Sequence, residues 1–154
     1  MELDLQEVAL RLGSATAAGT LIGINRDVLN KPIGMRTLGL VGLGTAMVAV
    51  ASIQVPGMAE NPDALSRVVQ GIIQGIMAGI SFIGAGVILR DPKTRFVEGL
   101  TTASTVWVTA ALGIACGLGS WRVAAIGLGL TLLLLVVVPW LERLMTGGED
   151  ERKS

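Results

Sequence analysis

The sequence predicts an all-α, polytopic membrane protein with about five transmembrane helices. Five apolar stretches, residues 8–24, 35–55, 68–89, 100–118 and 123–141, each approach the roughly 20 residues that cross a hydrocarbon core of about 30 Å. Hydrophobic residues make up 51% of the chain and charged ones 16%, below the roughly 25% charged content of a soluble domain. Mean hydropathy is +0.67. The 21 glycines are a third sign, since small residues let transmembrane helices approach backbone to backbone. Helices are expected because lipid offers the backbone no hydrogen-bond partners.

The first stretch is weakly apolar and rich in Ala and Gly. It follows an acidic start, Met1-Glu2-Leu3-Asp4, where a secretory signal would be basic, so it is expected to be retained. Asn30-Lys31-Pro32 closes the first connection, and Pro56-Gly57 through Asn61-Pro62-Asp63 makes the second. Arg90-Asp91-Pro92-Lys93 opens the third, and Gly117-Leu118-Gly119-Ser120 is a tight fourth. The fifth stretch is the most hydrophobic. Residues 1–145 are read as one transmembrane domain and 146–154 as a polar tail with no soluble domain after it.

Cationic residues set orientation. Arg26, Lys31, Arg36, Arg90, Lys93, Arg95, Arg143, Arg152 and Lys153 fall on one side of five spans, and Arg11, Arg67 and Arg122 on the other. The richer side is expected to be cytoplasmic, which places the N-terminus outside and the C-terminus inside.

Several chemistries are excluded or weakened. Net charge is formally zero, so nothing draws the chain to nucleic acid. With no histidine, no tyrosine and the single Cys116, there is no nucleophile–base pair and no metal-ligand spacing. No enzyme activity and no cofactor are expected. Spans two to five carry no deep Asp, Glu, Lys or Arg, whereas a magnesium path normally needs carboxylate oxygens. Mg²⁺ binding therefore has no ligand set behind it, although carbonyl rings or an oligomeric pore stay open as routes for an ion. Cys116 reads as a small packing residue.

Two segments echo each other. Arg26-Asp27 precedes Gly34-Met35-Arg36-Thr37, and Arg90-Asp91 precedes Gly99-Leu100-Thr101-Thr102. Two explanations stay open: a parallel repeat of helices 1–2 and 3–4 about an axis along the membrane normal, or coincidence.

Gly71, Gly75 and Gly79 recur every fourth residue, as do Gly19-Gly23 and Gly113-Gly117. Residues four apart share a helix face, so these are helix-packing candidates, together with Gly84 and Gly86. Packing within the chain and a homo-oligomeric interface are both compatible with them. Gln70, Gln74, Met77 and Ser81 share a face as interhelical glue or as a conduction path.

At the cytoplasmic edge two helices begin, and their free N–H groups carry partial positive charge. Thr37, Thr101 and Thr102 are expected to cap them. Six cations and the three acids Asp27, Asp91 and Glu98 leave a net +3 there. Such an edge suits a phosphate, a nucleotide, an anionic lipid headgroup or an acidic partner segment, or it is ordinary positive-inside topology. On the outer side, Asp63 and Arg67 are spaced to form an ion pair on one helical turn.

Three segments resemble the MgtC/SapB family of bacterial inner-membrane proteins. Asn25-Arg26-Asp27 with Lys31-Pro32-Ile33-Gly34-Met35-Arg36-Thr37 is similar to the family's E-R-E…K-P-A-G-L-R-T. Asp63…Arg67…Phe82-Ile83-Gly84-Ala85-Gly86-Val87-Ile88 is similar to D-x-x-R…G-F-L-G-A-G-V-I. Residues 99–113 nearly reproduce G-L-T-T-A-A-T-L-W-V-T-A-A-I-G. Asn25 and Asp27 depart from two glutamates, and Leu38 stands where His or Asn is common. Span three carries about one additional turn. Longer members end in a soluble domain.

The resemblance implies a non-enzymatic protein linked to growth at low magnesium and to virulence through survival inside phagocytes. It also implies a membrane partner, for which the ATP synthase membrane sector is proposed in the family. Asn25, Arg26, Asp27, Lys31, Arg36, Thr37, Asp63, Arg67, Arg90, Thr101 and Thr102 are the functional candidates. An oligomeric transporter of Mg²⁺ or another small ion is the competing function.

Overall fold

The computed structural model describes residues 3–56, 61–90 and 97–146. Five helices follow one another: α1 (Leu5–Val28), α2 (Met35–Ile53), α3 (Pro62–Gly86), α4 (Leu100–Gly117) and α5 (Trp121–Thr146). The architecture is all-α apart from a two-residue antiparallel ladder in the third connection. There β1 (Leu89–Arg90) pairs with β2 (Val97–Glu98).

Each helix has local reasons for its limits. The Asp4 carboxylate accepts the Leu5 N–H at 2.8 Å and starts α1. Asn61 caps α3 by accepting the Ala64 N–H at 3.1 Å, with Pro62 in the first turn. The Asn-Pro-Asp segment thus opens a helix six residues before the apolar stretch, because it is a capping signal as well as a turn signal. At the end of α1, Asn30 takes a left-handed φ of 51°. The N–H groups of Asn30 and Lys31 return to the carbonyls of Asp27 and Arg26, both at 3.0 Å. α4 closes in the same way, with Gly119 at φ +75° and Ser120 N–H donating to Ala115 O at 2.8 Å.

α2, α3, α4 and residues Trp121–Leu141 of α5 are each long and apolar enough to cross a membrane. α1 is less apolar, because Glu7, Arg11, Arg26 and Asp27 lie near its ends. It nevertheless runs antiparallel to α2, pairing Ala15 with Gly42, Gly19 with Leu38 and Gly23 with Met35.

The centre is the α1–α2–α4 group, built from small residues. A Cβ on Gly113 would lie 2.6 Å from Gly42 O and would strike the Thr45 hydroxyl. One on Gly117 would lie 2.7 Å from Ala49 Cβ and 2.8 Å from Ala46 O. Cys116 is buried beside Ala15, Ala46 and Ala124. Ile22, Leu38 and Val106 fill the other half of the core with no exposure. The threonine hydroxyls inside are satisfied along their own helices: Thr45 donates to Val41 O and Thr109 to Thr105 O.

Not every predicted glycine contact is made within the chain. A Cβ on Gly84 would lie 3.6 Å from Ala103 Cβ across the α3–α4 seam, but one on Gly71, Gly75, Gly79 or Gly86 would meet nothing within 4 Å. The α3 ladder faces outward because the inner face of the helix is its Ile and Met side, with Ile76, Met77 and Ile80 against the core.

The Gly113→Ala variant is expected to lose about 1–3 kcal/mol from forced separation of α2 and α4. Gly44→Ala, in open space, should change stability by no more than about 1 kcal/mol. Denaturation of both detergent-solubilised variants in SDS measures the difference.

Candidate functional site

Two arginines on α1 hold α4 at its two ends. Arg11 donates from Nη1 to Gly117 O at 2.9 Å, while its Nε pairs with Glu7 at 2.9 Å. Arg26 donates from Nη2 to the Thr102 hydroxyl at 2.5 Å. Fifteen residues separate the arginines and fifteen separate Thr102 from Gly117, so the antiparallel helices match rung for rung over about 22 Å. α1 therefore spans the same depth as α4.

The two clamps are electrostatically opposite. Arg11 sits at the C-terminal end of α4, where free carbonyls carry partial negative charge and a cation is welcome. Arg26 sits at the N-terminal end, where the same dipole disfavours it. Arg26 is 3% exposed and is the one charged residue among the described buried set. Its Nε has no hydrogen-bond partner, and neither does the buried Oδ1 of the adjacent Asn25. A buried donor or acceptor left unpaired costs about 1–3 kcal/mol. This corner is thus the most expensive polar arrangement described in the protein.

Around it, the sequence candidates divide. Asp27 is exposed but structural: its Oδ2 accepts the Met35 N–H at 3.0 Å and caps α2. It works from seven residues before the helix's own N-cap, Gly34, and crowds it so closely that a Cβ there would overlap the carboxylate. Thr37, expected to cap α2, is instead exposed in its first turn, where Asp27 has taken the cap. Thr101 and Thr102 do not cap α4 either. The chain enters that helix through Gly99 at φ +88°, packed on Val87 O, which leaves both threonines inside the first turn. Thr101 is exposed, and Thr102 is 2% exposed and committed to Arg26. The two helix entries also differ locally, extended at Gly34 and left-handed at Gly99.

Lys31 and Arg36 are exposed on the rim of the same end. Arg90 lies in β1 at this end, while Asp91, Lys93 and Arg95 fall outside the described residues, as does the tail from 147. On the opposite side Asp63 and Arg67 are both exposed and do not pair with each other. Among the described residues no group of three His, Cys, Asp or Glu is placed to hold a metal.

The Arg11 clamp went unread in the sequence, where Arg11 counted only toward orientation. Its signal was the Glu7–Arg11 spacing of four, which presets the guanidinium on one face of α1.

Fold and site define a multi-pass α-helical membrane protein with a small-residue core and one buried guanidinium near an end of the bundle. The chain belongs to the MgtC family, which it matches over residues 12–144. It is 43% identical over 147 residues to Protein SrpB of Synechococcus elongatus, covering 92% of this chain and 80% of that one. It is 34% identical over 140 residues to Protein SapB of Bacillus subtilis, covering 89% of this chain and 59% of the relative. With Protein MgtC of Salmonella typhimurium the identity is 37% over 126 residues, 82% of this chain and 48% of the relative. The chain thus spans between about half and four-fifths of these relatives. No solved structure matches it.

Thr102→Val keeps the shape but removes the acceptor from a buried guanidinium, with an expected loss of about 2–3 kcal/mol. Thr105→Val, whose hydroxyl serves only Thr101 O, should lose less than about 1 kcal/mol. Asp27→Ala should lose about 1 kcal/mol as the α2 cap goes. Thermal unfolding in detergent ranks the three.

Proposed function

We propose that this chain is a non-enzymatic module of a bacterial inner membrane, with its N-terminus outside and its C-terminus in the cytoplasm. It acts by binding or regulating a membrane partner during adaptation to low magnesium. For the virulence role and for the ATP synthase as partner, the support is the resemblance of its three motif segments. The orientation rests on nine cationic residues on one side of the spans against three on the other.

The observation that carries this reading is Arg26. Of the described side chains that are buried, the single charged one is a cation, locked onto Thr102 at the end where α2 and α4 begin. A fixed guanidinium repels a divalent cation and offers it no ligand. The other described charges lie within about two turns of a helix end or in the connections. A regulatory contact at this rim, through the exposed Arg36 and Lys31, fits such an edge better than a magnesium path does. The exposed cations Lys31 and Arg36 are donors, suited to an acidic segment, a phosphate or a lipid headgroup.

Arg36→Ala should insert at the wild-type level yet fail to support growth when magnesium is limiting, in a strain that depends on this gene. Purified wild-type protein in liposomes should pass no more Mg²⁺ than protein-free vesicles. Full growth with Arg36→Ala removes the rim from the reading, and measurable flux moves the function to transport.

A further inference from the structure

α3 carries a polar stripe along an otherwise apolar, largely outward-facing helix, on which Ile73 and Phe82 are also exposed. α3 turns Ile76, Ile80 and, at the border of the polar stripe, Met77 toward the core. Its outer side carries Asp63, Arg67, Gln70, Gln74 and Ser81, all exposed and within an arc of ~80°. Neither glutamine amide has a partner among the described residues. Gln74 lies in the middle of a 25-residue helix apolar enough to span, at the depth where an unpaired amide is most costly. Beside this polar line Gly71, Gly75 and Gly79 leave open space where another backbone can approach.

We propose that this face is the contact between two copies of the chain, with the α3 helices side by side and parallel. Copies inserted with the same topology are related by a two-fold axis along the membrane normal, which brings each α3 position opposite its own counterpart. The face is complementary to itself under that operation. A carboxamide is both donor and acceptor, so Gln70 and Gln74 satisfy each other across the axis. Asp63 and Arg67, one turn apart and unpaired with each other in the single chain, pair crosswise between copies. An unrelated helix would have to supply both the amide partners and the alternating charges at the same register. A second copy carries them already. This inference is independent of the regulatory reading, since the rim formed by Arg36 and Lys31 plays no part in it.

Cysteine cross-linking in native membranes tests the contact, in a Cys116→Ser background. Gln74→Cys should give a disulfide-linked dimer on mild oxidation, whereas Leu134→Cys on the outer face of α5 should not. Photobleaching of the labelled wild-type chain in liposomes supplies a second measurement, with two-step traces rising with protein density. Gly75→Leu should weaken that association about tenfold. Asp63→Arg should also weaken it, and adding Arg67→Asp should restore it. The proposal is overturned by single-step traces at every density, by Gln74→Cys linking no better than Leu134→Cys, or by its linking to a different protein. A double charge swap that stays monomeric overturns the crosswise pairing and with it the two-fold arrangement.

Discussion

The bond from Arg26 to Thr102 is the constraint around which the bundle is arranged. A guanidinium removed from water loses hydration worth several kcal/mol, and one hydroxyl recovers only part of it. The position next to a helix N-terminus adds a further adverse field. Neighbouring elements converge on that group to exclude water. Ile22 and Ile33 are buried close to it in sequence, and the Asn30 turn folds the chain back over the end of α1. Arg11 at the far end shows the inexpensive version of the same device: half-buried, paired with Glu7 and placed at the favourable pole of α4.

Between the clamps the packing is unusually close. Gly19, Gly23, Gly42, Gly113 and Gly117 put backbones rather than side chains at the interfaces of α1, α2 and α4. Within a bilayer there is little hydrophobic gain in hiding leucine from lipid, so dispersion contacts between surfaces of matching shape must supply cohesion. α5 illustrates the complement. It is long and rich in Leu and Val, and most of its side chains face outward, where acyl chains are as good a neighbour as protein.

Much of this could be read before the fold was known. Hydropathy located all five helices, and the four-residue glycine spacing of α4 marked a packing face whose partner, α2, only the structure names. The same spacing in α3 marks a face without saying which way it points, and that face is turned outward. The Ile-rich side of α3 settled its direction. Helix ends were legible where an Asn, Asp or Pro signal stood alone, and less so where signals competed, as at Asn61-Pro62. The caps on α2 and α4 failed for a related reason. Thr37, Thr101 and Thr102 carry the right chemistry at the wrong index, while the cap on α2 comes from Asp27 across a turn, a relation that spacing along one helix cannot reveal. Arg26 reads in the sequence as one of the cations of the first connection, and its depth required α4 to be in place.

The 22 Å separation of the clamps has a physical corollary. It is shorter than an average hydrocarbon layer, while α3 and α5, at 25 and 26 residues, are about 37–39 Å long. A short waist surrounded by long staves cannot stand upright with all its members matched to one thickness. The outer helices therefore lean within the layer or carry their polar end turns beyond it. Bilayer thickness thereby becomes a mechanical load on this protein, applied through its long outer helices.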